Sequence, residues 1–229
     1  GEGKPLILLH GGLASTEAWV KQVAVFAQHY RVIALDSRGQ GRTTDADAPI
    51  SYHRMSEDTL GLMDYLGIDA AYVVGWSDGA IIGLDLAIHH PERVSALVAY
   101  AAHSSPDGLQ ESVIASVRDS SIDDLVGDEQ RRLSAQPERL PIIAEKIRTM
   151  WLTEPDFTAQ ELAGITAATL IVDGEDEEVV RAGHAAAIAN AIPNAELILL
   201  PGVGHFAPSE KPAQWNKVVL DFLKEHEGP

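Results

Sequence analysis

The sequence predicts an α/β domain: a mostly parallel central sheet with helices on both faces and a small helical cap inserted. Three observations lead there. Short, nearly continuous apolar runs alternate with helix-period segments, as strands covered on both faces and their crossover helices should. The 229 residues, 45% hydrophobic and 22% charged, supply the core of one large domain, with or without an inserted subdomain. One stretch of about sixty residues carries no convincing strand, which is too long for a plain connection.

The apolar runs place strands at residues 6–9, 31–35, 71–74, 94–101, 168–172 and 196–200. Met55, Thr59, Leu62, Met63 and Leu66 recur at helical spacing on one face. So do Trp215, Val218, Val219, Phe222 and Leu223, with Pro212 placed to start that helix,. Strand and helix in alternation imply right-handed crossovers, hence parallel strands. Residues 1–102 and 166–229 are assigned to this core and 103–165 to the cap. The cap segment is polar and acidic, with Pro106, Pro137, Pro141 and Pro155 as punctuation. Leu125, Ile142, Ile143, Met150, Trp151 and Phe157 are its scattered large apolar residues.

Charge narrows the partners. Lys and Arg total 17 against 34 Asp and Glu, a formal net charge of −17. Nucleic-acid binding and polybasic attachment to a membrane are both disfavoured, since each relies on cationic side chains. With no cysteine, disulfides, thiolate catalysis and cysteine-ligated zinc are excluded. No run of about 18 apolar residues is present to span a membrane. The chain opens on Gly1 rather than Met, so an upstream segment is expected to have been removed or omitted. The expected setting is soluble, either cytoplasmic or exported with the leader removed; oligomeric state is left open.

The chemistry centres on Gly75-Trp76-Ser77-Asp78-Gly79. This G-x-S-x-G run follows a strand and opens a helix, the context a nucleophile elbow requires. The turn is tight enough to strain the serine backbone and to crowd any flanking side chain, which explains the glycines. It aims the Ser77 hydroxyl out of the sheet's C-terminal edge and the Asp78 N–H at a developing oxyanion. A serine needs a base. Of nine histidines, His205 stands in the glycine-flanked loop Gly202-Val203-Gly204-His205-Phe206 just after a strand. His10, His89, His90 and His226 read as structural or solvated. The orienting acid is expected where residues 168–172 run into Asp173-Gly174-Glu175-Asp176-Glu177-Glu178, in the chain order serine, acid, histidine. Five carboxylates in six positions leave the choice open. The second oxyanion donor is expected from His10-Gly11-Gly12-Leu13, with Gly12 first and Leu13 next.

Together these segments, with the loop Asp36-Ser37-Arg38-Gly39-Gln40-Gly41-Arg42-Thr43, resemble the α/β-hydrolase superfamily, specifically its small serine hydrolases with a helical cap. The likeness covers nearly the whole chain. It implies the α/β-hydrolase fold and a Ser77–His205–acid triad, with the acid three residues after Gly174. That is Glu177, where relatives more often carry aspartate; Asp176 is the alternative. It implies that Asp36 and Arg38 hold their turn. Two features depart from the pattern: Ala80 stands where relatives often have glycine, and the usual N-terminal hairpin does not precede the first strand.

The resemblance further implies acyl transfer on a small-molecule ester or lactone, without metal or organic cofactor. Serine rather than aspartate at position 77 sets the chain apart from the dehalogenases and epoxide hydrolases of this fold. A substrate pocket is expected from Trp76, Met150, Trp151 and Phe157. The alternatives are a lactonase or a C–C bond hydrolase with the same triad, a ligand receptor that keeps the triad for sensing, and a lyase or cofactor-free haloperoxidase.

Overall fold

The structure, a computed structural model, describes residues 1–227. The last two residues assigned to the core, 228 and 229, lie outside the described residues. Six strands form one sheet: β1 (Pro5–Leu9), β2 (Arg31–Leu35), β3 (Ala71–Trp76), β4 (Val94–Tyr100), β5 (Ala168–Gly174) and β6 (Ala195–Leu200). Their order is β2-β1-β3-β4-β5-β6. Every pairing is parallel, where a mostly parallel sheet was expected.

Helices fill the connections: α1 (Val20–Phe26), α2 (Tyr52–Tyr65), α3 (Asp78–His89) and α4 (Glu111–Asp119) come first. After these come α5 (Ile122–Leu125), α6 (Asp128–Leu133), α7 (Leu140–Thr153) and α8 (Ala159–Ala163). The chain closes with α9 (His184–Ala191), α10 (Ala207–Glu210) and α11 (Pro212–Glu225). Ser51 starts α2 by accepting the Arg54 N–H at 3.2 Å, and Pro212 occupies the first turn of α11. Among the described residues, positions 103–165 contain helices and no strand.

The pleat divides the core in two. Along β1, Ile7 and Leu9 face one side while Leu6 and Leu8 face the other, as a two-residue period requires. The first side packs against α2, α3 and α9 through residues such as Met55, Met63, Ile81 and Ile188. The second packs against α1 and α11, where Trp19 and Trp215 meet with ring centroids 5.5 Å apart.

Three expectations about the elements change. β3 and β5 run two residues further than their apolar runs, because Gly75 and Trp76 pair with Ala99 and Tyr100, and Asp173 with Leu199. β4 ends at Tyr100, since Ala101 turns to φ 54°. β6 is not covered on both faces: it is an edge strand, and Leu199 is 51% exposed. Two proposed pocket residues are also displaced. Met150 is 1% exposed and joins Ile143 and Ile147 in the core under α7, and half-buried Phe157 packs against the same cluster. Both seat the 103–165 segment on the sheet, because a large apolar side chain gains most where water is fully excluded.

All six strands end on one edge. Leu9 lies beside Gly75, Gly75 beside Ala99, and Gly174 beside Leu200. The loops after β1, β3, β5 and β6 therefore converge, and these carry the sequence motifs.

Trp215 is fully buried against Trp19 and Phe26. Trp215→Ala should lower unfolding free energy by about 3–5 kcal/mol, read as a lower urea midpoint with an unchanged m-value.

Candidate active site

The strand-to-helix turn between β3 and α3 holds Ser77 at φ 54° and ψ −120°, a region that a residue with a Cβ rarely occupies. Two neighbours explain why it closes. A Cβ on Gly79 would lie 2.0 Å from the Leu9 carbonyl oxygen, and one on Gly75 would lie 2.2 Å from the Gly79 oxygen. Helix α3 can therefore press directly onto β1. The Ser77 N–H donates to Tyr100 O at 2.8 Å, and Ala80 and Ile81 donate back to Ser77 O. Ala80 itself is fully buried.

The hydroxyl of Ser77 donates to His205 Nε2 at 3.0 Å. His205 Nδ1–H donates to Glu177 Oε1 at 2.9 Å. The two side chains of that second pair are 7% and 5% exposed, so the contact is shielded from water. Glu177 Oε1 also accepts the N–H groups of Val179 (2.7 Å) and Val180 (3.1 Å). Burial pushes Glu177 up, but these bonds outweigh it and hold the carboxyl below its ordinary range,. Asp176 does not join: it is exposed, and its recorded bond is a main-chain N–H to Val203 O.

Trp76 of the elbow motif and two residues that no motif singled out hold the histidine loop. Trp76 Nε1–H donates to His205 O at 2.8 Å, Glu178 Oε2 accepts the His205 N–H at 3.0 Å, and the Tyr100 hydroxyl donates to Gly204 O. Glu178 was legible only as one member of an acidic run, and Tyr100 as one strand residue among several.

Asp173 was equally unmarked. Its buried carboxyl stands against Glu177, whose Oε2 receives no N–H or hydroxyl. Burial, then the charge of Glu177, pushes Asp173 up to about 7.

The oxyanion candidates separate. Asp78 opens α3, so its N–H is among the first-turn donors the helix leaves free,. Gly12 and Asp78 both line a cavity over Ser77. Leu13 does not: at φ 50° its N–H is turned to Gln40 Oε1 at 2.6 Å. His10 is buried and donates Nδ1–H to Gly11 O while its Nε2 accepts the Ser37 N–H, which shapes the loop. Asp36 holds its turn by accepting the N–H groups of Thr16 and Arg42. Arg38 instead reaches α2, where Nε and Nη2 donate to Asp58.

The cavity has a volume of about 210 Å³. Trp76 and Trp151 line it, and Val113, Val117, Val179 and Leu109 add an aliphatic wall. Val113 and Val117 are four residues apart on α4 and share one face,. Buried His103 also reaches the cavity; burial, then nearby His184, pushes it down to about 3, so it is neutral there. Trp151 Nε1–H donates to both Asp78 oxygens, at 3.0 and 2.9 Å, and the Tyr52 hydroxyl donates to Asp78 Oδ1 at 2.9 Å. Burial raises Asp78 to about 6 against these bonds. Helix α7 is thereby tied to the residue beside the serine.

Known proteins resemble this chain in sequence and fold. The profile of the alpha/beta hydrolase fold family matches residues 4–121, just over half the chain. The chain belongs to the α/β-hydrolase family. It is 26% identical to a 2-hydroxy-6-oxo-6-(2'-aminophenyl)hexa-2,4-dienoic acid hydrolase of Metapseudomonas resinovorans, over 97% of this chain and 85% of that protein. It is 27% identical to the dihydrolipoyllysine-residue acetyltransferase component of the acetoin cleaving system of Pseudomonas putida, over 98% of this chain. The chain spans only 64% of that relative's length. Among solved structures, an N-acyl homoserine lactone degrading enzyme superposes with a TM-score of 0.77 at 27% identity, covering 97% of this α/β hydrolase and 94% of the other chain.

Asp173 yields a stability prediction. Its folded value of about 7 exceeds the ordinary 3.8, so the folded chain keeps a proton that the unfolded chain loses between about pH 4 and 7. Stability contributed by this group therefore falls as pH rises through that window. Asp173→Asn should melt with the wild type near pH 4 and gain on the order of 2–4 kcal/mol at pH 8, followed by denaturation at both pH values.

Proposed function

We propose that this α/β hydrolase is a serine hydrolase that cleaves small carboxylic esters through an acyl-enzyme. The observation that carries the reading is the hydrogen-bonded line from Ser77 Oγ through both nitrogens of His205 to Glu177 Oε1, at the floor of an apolar cavity. Ser77 attacks the ester carbonyl as His205 Nε2 takes its proton. Glu177 steadies the resulting imidazolium. The N–H groups of Asp78 and Gly12 hold the tetrahedral oxyanion, each donor lowering the barrier by roughly 2.7–4 kcal/mol. His205 then protonates the leaving alcohol, and water activated by the same imidazole releases the acid.

Size and lining argue for a small, apolar acyl or alcohol group. About 210 Å³ equals roughly seven water volumes, and the valine wall offers no charged partner. In this reading residues 103–165 form the cap: α4 supplies Val113 and Val117, and α7 supplies Trp151. A lactone is the second substrate class, supported by the likeness to an N-acyl homoserine lactone degrading enzyme. A C–C bond beside a ketone is the third, supported by the likeness to the dienoic acid hydrolase.

Turnover of aryl acetate and butyrate should be measurable and should fall for long acyl chains. Ser77→Ala should lower kcat by at least ~10⁴-fold. Glu177→Gln should cost roughly 10²–10⁴-fold, while Asp176→Asn stays within about threefold, since an exposed side chain that orients nothing is removed. A strong loss at Asp176 with a mild one at Glu177 would move the acid. An intact protein that hydrolyses no activated ester and whose Ser77 resists an organophosphonate is a receptor rather than an enzyme. Parallel assays with lactones separate the first two substrate classes.

A further inference from the structure

A second cluster of chemically capable side chains lies further along α3, away from the elbow. Asp85 and His89 stand four residues apart and share one helix face,. His53, at the start of α2, meets them from the neighbouring helix. Asp85 Oδ1 accepts His53 Nδ1–H at 3.0 Å and lies 3.4 Å from His89 Nδ1. His89 Nδ1–H also donates to the Asp85 main-chain oxygen at 3.0 Å. The two imidazole rings have centroids 4.6 Å apart. One ligand atom from each residue lies within 4.8 Å of the other two.

The carboxyl at the centre is buried. Asp85 is 4% exposed in its side chain, and among the described residues its ion-pair partners are these two imidazoles alone. Its hydrogen-bond donors are His53 Nδ1–H and the Ser56 hydroxyl. The whole chain carries a formal charge of −17, which favours cations over anions.

We propose that His53, Asp85 and His89 bind a divalent late first-row transition ion, with zinc the best fit. Two imidazole nitrogens and a carboxylate oxygen suit zinc, nickel or copper, whereas magnesium and calcium prefer oxygen alone. Metal–ligand bonds of about 2.0–2.2 Å in a tetrahedron place ligand atoms roughly 3.3 Å apart. The two nitrogen–oxygen separations, 3.0 and 3.4 Å, bracket that value. The nitrogen pair needs one ring to swing inward. Both rings are partly exposed, at 54% and 41% of their side chains. Ligation through Nδ1 puts each ring proton on Nε2 and exchanges the present Nδ1–H bonds to Asp85 for bonds to the metal,. The Ser56 hydroxyl donates to Asp85 Oδ1 and so fixes the carboxylate's orientation, the usual role of an outer partner. Three protein ligands leave the fourth position to water.

The site is separate from the serine. Asp85 follows Asp78 by seven residues, about 10 Å along the helix. Its effect is a clamp: the ion ties the start of α2 to α3. Tyr52, whose hydroxyl holds Asp78, is the residue before His53.

Zinc chloride titrated calorimetrically into the metal-free full chain tests this. One equivalent should bind with a Kd of order 10 µM or tighter, and a hundredfold excess over Kd should raise Tm by roughly 5 °C. Magnesium should do neither. His53→Ala and His89→Ala alter exposed side chains and should each weaken binding at least ~10-fold, while His90→Ala leaves it unchanged. His90 also pairs with a carboxylate, Glu57, and His205 with Glu177, so beside His90→Ala the titration is repeated in His205→Ala, where binding should persist. Absence of saturable binding below about 100 µM overturns the proposal. So does binding that survives His53→Ala combined with His89→Ala, or that disappears in His205→Ala alone.

Discussion

The site depends on one backbone constraint, the left-handed turn at Ser77 between β3 and α3. Such a conformation costs on the order of 1–3 kcal/mol and persists only where its surroundings over-determine it. Here they do. The Ser77 N–H is held by the end of β4, its carbonyl by the first turn of α3, and α3 is buried along most of its length. The close approach of Gly79 to Leu9 seats the helix against β1. Were α3 to lift by the width of a methyl group, the Asp78 N–H would leave the cavity and the serine hydroxyl would lose its imidazole.

The rest of the site consists of loops pinned to that fixed point. Parallel strands all finish on the same edge, so the loop after β6 brings His205 over the serine without any long excursion. Trp76, beside the nucleophile, donates to His205 O and so measures the gap between the two loops. Trp151 does the same from above, since its indole N–H rests on the Asp78 carboxylate. Both tryptophans act as rulers as well as walls, because each has a rigid ring and a single donor.

Buried carboxylates recur through this fold, and each is handled differently. Glu177 takes three donors and stays charged. Asp173 stands against it and is driven toward the neutral form. Asp78 is balanced by an indole and a phenol. Asp85 has imidazoles. A chain with twice as many acids as bases cannot pair each carboxylate with a cation, so hydrogen-bond donors and shared protons take that part.

The fold was legible from local pattern alone. Apolar runs located all six strands to within two residues, because strands covered on both faces must be apolar and a change of period marks each helix. Ser77 and His205 were legible too, since a tight strand-to-helix turn and a glycine-flanked loop impose residue choices visible along the chain. The acid was not resolved by residues 173–178 themselves: a run of carboxylates carries no record of which one turns inward, and only resemblance singled out Glu177. Tertiary structure decided the remainder. It spent the Leu13 N–H on Gln40, sent Met150 and Phe157 into the packing beneath α7, and brought Val113, Val179 and His103 to the cavity. Sequence determines what each segment can form, since that depends on neighbours a few residues away. Which side chains meet depends on how segments far apart in the chain pack, and that is set only once the sheet has closed around its two cores.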